Sequence, residues 1–202
     1  MNLLAHAILS PADPAVLTGN LTADWVKGRA RRTLPESLQL GMTLHYHIDS
    51  FTDAHPIVHR CTDLLWPQWG RYSPILVDIF FDHILSLDWH HYSPVPRESF
   101  IAHVHLSLRA HMHHLPARAQ HAATALLADD WLSTYATLTG IGLSLSRLSF
   151  RLHSTGHTVE LAPAAADLAA HLSAFRSAFR EFFPQLRAHV ENLSPLPVHC
   201  FP

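Results

Sequence analysis

The stretch Leu44–Asp53 sets His45, Asp49 and Asp53 four residues apart. Side chains at that spacing are neighbours on one face of an α-helix, with Cβ atoms roughly 6 Å apart. A helix here carries an imidazole and two carboxylates on a single face. Burying such a face is costly unless positive charge sits between the groups, and a divalent metal supplies that charge. A second segment repeats the pattern. Ile75 to about Trp89 reads as a largely apolar helix with Asp78 and Asp82 four apart and His83 next. Both carboxylates lie mid-helix, where capping does not explain them, and a buried Asp needs partners.

The remaining segments also read as helices. Asp13-Pro14 combines a capping carboxylate with a proline suited to the first helical position. The predicted helix runs to about Lys27, carries Asp24, and turns Leu17, Leu21 and Trp25 inward. Gly19-Asn20 inside it is poor helix former and marks a break or a close approach by another backbone. A helix from Pro35 to about Asp53 contains Gly41, read as a tight helix crossing. A short helix through Cys61 and Leu65 is expected to give way to a Trp-Pro-Gln-Trp-Gly loop at 66–70. Further helices are expected from Pro96 to Leu115, from Pro116 to Asp129, over 131–137, and over Leu143–Leu152. A long one should run from Pro163 to Asn192, kinked or split at Pro184. No alternating strand pattern, phosphate-cradling glycine loop or nucleophile elbow is present. The expected architecture is all-α: a single compact helical bundle over residues 1–193, with a loose tail at 194–202.

Composition narrows the classes. A hydrophobic fraction of 48% against 15% charged residues excludes a disordered chain. A net charge of −2 gives no global reason to expect nucleic acid as a partner. Two cysteines make neither a disulfide framework nor a zinc pattern. With no apolar run of about 18 residues and no evident signal peptide, a cytoplasmic protein without membrane contact is expected.

The ligand-type residues are Asp24, His45, Asp49, Asp53, Asp78, Asp82 and His83, with His6 in the apolar opening Met-Asn-Leu-Leu-Ala-His. The histidines at 103, 105, 111, 113 and 114 scatter around their helix without carboxylates and read as surface. Imidazole with carboxylate suits Mn²⁺, Fe²⁺ or Mg²⁺ better than structural zinc, and such a site in a helical fold serves phosphate-ester hydrolysis. Lys27, Arg29, Arg31 and Arg32 are either a solvated helix end or a docking patch for an acidic partner. Arg147 and Arg151, four apart, bind phosphate or pair with acids.

Four collinear motifs carry a family resemblance: Met-Asn-Leu-Leu-Ala-His at 1–6, Gly-Asn-Leu-Thr-Ala-Asp-Trp-Val-Lys-Gly at 19–28, Leu-His-Tyr-His-Ile-Asp-Ser-Phe-Thr-Asp-Ala-His-Pro at 44–56, and Val-Asp-Ile-Phe-Phe-Asp-His at 77–83. With Asp-Trp-Leu-Ser-Thr-Tyr at 130–135, the chain resembles the acyl carrier protein phosphodiesterases from residue 1 to about 190. The resemblance implies a Mn²⁺-dependent hydrolase that removes 4′-phosphopantetheine from holo-acyl carrier protein. It also implies a fold distantly related to the HD-type metal phosphohydrolases. It carries metal roles first to Asp24, His45, Asp82 and His83, and second to His6, Asp49 and Asp78, as remaining ligands or as groups that orient a ligating imidazole. Asp24, Asp49 and Asp78 are the candidate catalytic carboxylates, with Asp53 behind them. Carrier proteins are acidic around the modified serine, so Lys27, Arg29, Arg31, Arg32, Arg147 and Arg151 become candidate substrate-binding residues. Trp25, Trp89 and Tyr92 are candidate walls for the pantetheine arm. Two departures stand out. His47 occupies a position where the family commonly has Arg or Lys, and Asp82-His83 reverses the usual HD order.

Overall fold

A computed structural model describes residues 2–193. These form eleven α-helices and no strand, so the chain is all-α. The helices are α1 (Leu3–Ile8), α2 (Pro14–Thr22), α3 (Glu36–Asp53), α4 (Pro56–Trp69), α5 (Ser73–Leu87), α6 (Arg97–His111), α7 (Ala117–Ala128), α8 (Trp131–Thr134), α9 (Leu138–His153), α10 (Ala164–Ala170) and α11 (Leu172–Leu193). The expected tail at 194–202 lies outside the described residues.

The largely apolar helix α5 runs through the core and packs against α1, α4, α9 and α11. Its Phe80 and Phe81 meet Phe175, Phe179 and Phe182 of α11 through edge and stacked contacts 5.2–5.7 Å between ring centroids. All five rings are fully buried, and each contributes about 2–3 kcal/mol relative to an exposed side chain. The end of α5 is tied to α11 by charge. Asp88, fully buried, accepts hydrogen bonds from Arg176 and Arg180. The Arg176 contact, ahead of Arg180, holds its carboxyl below the usual range against the cost of burial.

The helix pair that matters most for the site is α2 and α3. A Cβ on Gly19 would stand 2.1 Å from the carbonyl oxygen of Leu38. A Cβ on Gly41 would stand 2.0 Å from that of Val16 and 2.7 Å from the amide of Asn20. The two backbones therefore touch at reciprocal glycines, the close approach and tight crossing that both sequence positions suggest.

Several boundaries differ from expectation. The α2 helix ends at Thr22 instead of near Lys27, and two 3₁₀ turns follow, Ala23–Trp25 and Gly28–Thr33, the second opened by Gly28 at φ +61°. The 66–70 segment is no loop: α4 continues through Pro67 to Trp69 and stops at Gly70, φ +48°. Pro184 does not split the long C-terminal helix. The break comes at His171 instead, and α11 passes through Pro184. A proline inside a helix costs one hydrogen bond and some crowding, and burial of Phe182, Phe183 and Leu186 around it offsets that cost. The α9 helix begins at Leu138, where the Thr137 hydroxyl accepts from the Gly140 amide. No helix among the described residues is long and apolar enough to cross a membrane.

Candidate metal centre and its cleft

The site is built where α1, α2 and α3 meet. Because α2 stops at Thr22, the Asn20 carbonyl is among the last four of the helix and lacks an α-helical N–H partner. The glycine crossing brings His45, one turn beyond Gly41, against it. The His45 Nδ1–H donates to the Asn20 carbonyl at 2.8 Å, which leaves Nε2 turned towards Asp24 and Asp49. From α1, His6 places Nδ1 2.9 Å from the Asn20 side-chain oxygen. The Asn20 amide is oriented independently: Nδ2 donates to the His6 carbonyl at 2.9 Å and to Ser10 Oγ at 2.8 Å. Oδ1 is therefore the atom facing His6 Nδ1, and Nε2 is turned towards the Asp49 carboxylate.

Both Nε2 atoms converge on Asp49. His6 Nε2 lies 3.1 Å from Oδ1 and His45 Nε2 lies 3.0 Å from Oδ2. Asp24, exposed to the cleft from the first 3₁₀ turn, places Oδ1 3.4 Å from His45 Nε2. The ligand atoms of His6, His45 and Asp49 all lie within 4.8 Å of one another, close enough to hold a metal ion. The imidazole rings stack, centroids 4.2 Å apart and 18° from parallel.

Electrostatics fit a single cation at this point. Burial opposes charge on His45, but Asp24 and Asp49 outweigh it and lift the ring to about 9. Burial, together with the charge on His45, pushes His6 down to about 4, although Asp49 pulls the other way. Burial also opposes charge on Asp49, yet both histidines hold its carboxyl far below the usual range. The stacked pair thus takes up one proton. His45 Nε2 is buried beside two carboxylates yet makes no properly directed hydrogen bond. Two neutral imidazoles and two carboxylates carry a net charge of −2, which a divalent ion neutralises at the point where those atoms converge.

A cleft of about 510 Å³ opens from this group. Its lining includes the carboxylates Asp24, Asp49, Asp53 and Asp78 and the guanidinium groups of Arg118, Arg147 and Arg151. Burial pushes the half-buried Asp78 carboxyl above its usual range. Arg147 Nε lies 3.6 Å from Asp129, and the Arg151 guanidinium sits 5.2 Å above the Trp131 ring.

Asp82 and His83 are not brought to the metal group. Both oxygens of the fully buried Asp82 accept amides at the start of α1, Leu4 at 2.7 Å and Ala5 at 2.9 Å. Asp82 is thus a cap supplied by α5 to a short helix with no side-chain cap of its own. Burial pushes its carboxyl up to about 7 against the pull of those amides. The buried His83 donates from Nδ1 to the Tyr135 carbonyl at 2.7 Å. Trp89 and Tyr92 pack into the core, against Phe100 and against Phe179 and Phe183. Of the three expected aromatic walls, Trp25 lines the cleft, and Trp131 joins it. Lys27, Arg29 and Arg32 are exposed on and beside the second 3₁₀ turn. Arg31 is half-buried, donating to Thr43 Oγ1 and lying over Tyr46. Sequence reasoning passed over Asn20 as a site residue, although it stands in a quoted motif beside a glycine read as a close approach. It passed over Arg118 too, which carries no local signal.

The chain matches the family model described as acyl carrier protein phosphodiesterase over residues 1–186. Three similar proteins bear that name. One from Photorhabdus laumondii is 30% identical across 100% of both chains. One from Yersinia pestis is 33% identical over 68% of this chain and 72% of its own length. One from Pectobacterium atrosepticum is 32% identical over 75% and 79%. No solved structure matches the chain.

Proposed function

Because the chain belongs to the acyl carrier protein phosphodiesterase family, we propose that it hydrolyses the phosphodiester between 4′-phosphopantetheine and the serine of a holo-acyl carrier protein, leaving the apo-carrier. The observation that carries this reading is the convergence of His6, His45 and Asp49 at the head of a cleft lined in part by arginines. The cleft volume lies within the roughly 300–1,000 Å³ range of pockets that enclose a small molecule, as the pantetheine arm requires.

His6, His45 and Asp49 would hold a divalent ion, with Asp24 at its open side. Mn²⁺ is the proposed ion, and Fe²⁺ or Mg²⁺ also suits the donors. Such an ion makes water more acidic and neutralises phosphoryl charge. The chain's own groups do the rest. Asp24, exposed to the cleft and held below the usual carboxylate range first by its contact with His45, stays ionised and accepts a proton from the attacking water. Asp78, its carboxyl raised by burial, lines the same cleft and is the candidate general acid for the departing serine oxygen. Arg147 and Arg151, with Arg118, offset charge on the phosphoryl oxygens. Lys27, Arg29, Arg31 and Arg32 follow directly on Asp24 and Trp25 and would dock the acidic face of the carrier. Asp53 completes the carboxylate lining. The proposed setting is the cytoplasm.

The test is mass spectrometry of holo-acyl carrier protein incubated with the protein and Mn²⁺, beside Asp24→Ala and a chelator control. Loss of phosphopantetheine mass, abolished by either control, is expected. An unchanged carrier mass from folded, Mn²⁺-bound protein overturns the carrier reading and points to a small phosphodiester substrate.

A further inference from the structure

One residue touches both candidate imidazole ligands on the side away from Asp49. The Asn20 backbone carbonyl takes the Nδ1 proton of His45, and its side-chain oxygen faces Nδ1 of His6. Its remaining donors are committed to the His6 carbonyl and Ser10 Oγ, so the amide cannot turn over without losing both bonds. Asn20 is fully buried. An amide is the side chain of this size that accepts at one atom and donates at the next. Asp lacks the donors, and Leu, close in shape, lacks both.

We propose that Asn20 is the positioning residue of the centre, holding both imidazoles with Nε2 forward so that they meet one cation together with Asp49. This rests on the metal reading above. The backbone half of the device is set by the glycine crossing and by the early end of α2. The side-chain half can be removed by substitution. Groups that fix the orientation of a ligating imidazole typically change metal affinity about 10–100-fold.

The experiment is calorimetric titration with Mn²⁺ of the full chain, its Asn20→Ala variant and its Asn20→Asp variant, each checked for helicity by circular dichroism. Asn20→Ala is expected to weaken Mn²⁺ binding by about 10–100-fold. Asn20→Asp keeps an acceptor for His6 Nδ1 and gives up both donations. It is expected to lose less than tenfold while melting at a lower temperature without metal, a split that a purely structural role does not produce. A folded Asn20→Ala that binds Mn²⁺ as the parent does overturns the proposal, and so does an Asn20→Asp that loses as much as Asn20→Ala. If Asn20→Ala fails to fold, the comparison of Asn20→Asp with the parent decides. A parent that binds no Mn²⁺ instead refutes the metal reading itself.

Discussion

Gly41→Ala joins the fold to the site in a single atom. The added Cβ would stand 2.0 Å from the Val16 carbonyl oxygen, where ordinary contact begins at 3.4 Å. The deficit is about 1.4 Å, and the opposing atoms are backbone, which cannot rotate aside as a side chain does. Helices α2 and α3 must separate by about that amount. Overpacking of this kind typically costs about 1–3 kcal/mol, and with backbone on both sides we expect the upper end, about 3 kcal/mol. The same separation stretches the 2.8 Å bond from His45 to the Asn20 carbonyl beyond hydrogen-bond range, so Mn²⁺ affinity should fall as well. Urea unfolding without metal gives the first quantity and calorimetric titration the second. Gly142→Ala is the control: a Cβ there meets nothing within 4 Å inside α9, so helix propensity should stabilise the chain by about 0.5–1 kcal/mol. The reasoning is refuted if Gly41→Ala unfolds within 0.5 kcal/mol of the parent, or if the two substitutions shift stability in the same direction.

Three further outcomes are expected. With the metal-free His45 lifted to about 9, a cation must displace its proton near neutral pH. Titrations at pH 7.5 in buffers of different ionisation enthalpy should report release of about one proton, and no release would contradict the assignment of His45. The folded Asp88 carboxyl titrates below its unfolded value, so its contact with Arg176 and Arg180 stabilises fully above the unfolded pKa and is lost as pH falls through the folded one. Arg176→Ala should therefore move the acid-unfolding midpoint to higher pH, and an unmoved midpoint counts against the contact. Charge reversal at Arg31 and Arg32 should raise KM for holo-carrier and its salt sensitivity more than it lowers kcat; an unchanged KM would remove the docking role.

What could be read from the chain follows the range of the interactions. The four-residue spacing of His45 and Asp49 is local, and it announces a ligand-bearing face before any fold is known. At Asp82 the same spacing accompanies a different contact. Its spacing from Asp78 is as suggestive, but the groups that satisfy it are amides 77 and 78 residues earlier, which no local pattern records. Asn20 is a mixed case. Beside Gly19 it signals a close backbone approach, yet its bonds to two histidines exist only once α1, α2 and α3 are assembled. The prolines at 67 and 184 mislead for a related reason. Local chemistry argues for interruption, and tertiary burial overrides it.

The Asp82 cap also orders events during synthesis. His6, Asn20, His45 and Asp49 have all left the ribosome once α3 has emerged, but the carboxylate that anchors the first turn of α1 lies 77 residues beyond Ala5. Asp82 follows Asp49 by 33 residues, which at roughly 5–20 residues per second is about 2–7 s of translation. Until α5 appears, α1 is a six-residue helix without the carboxylate that caps its first turn, and helices so short are marginal alone in water. A nascent chain therefore carries its candidate ligands for seconds before the carboxylate that caps α1 is available.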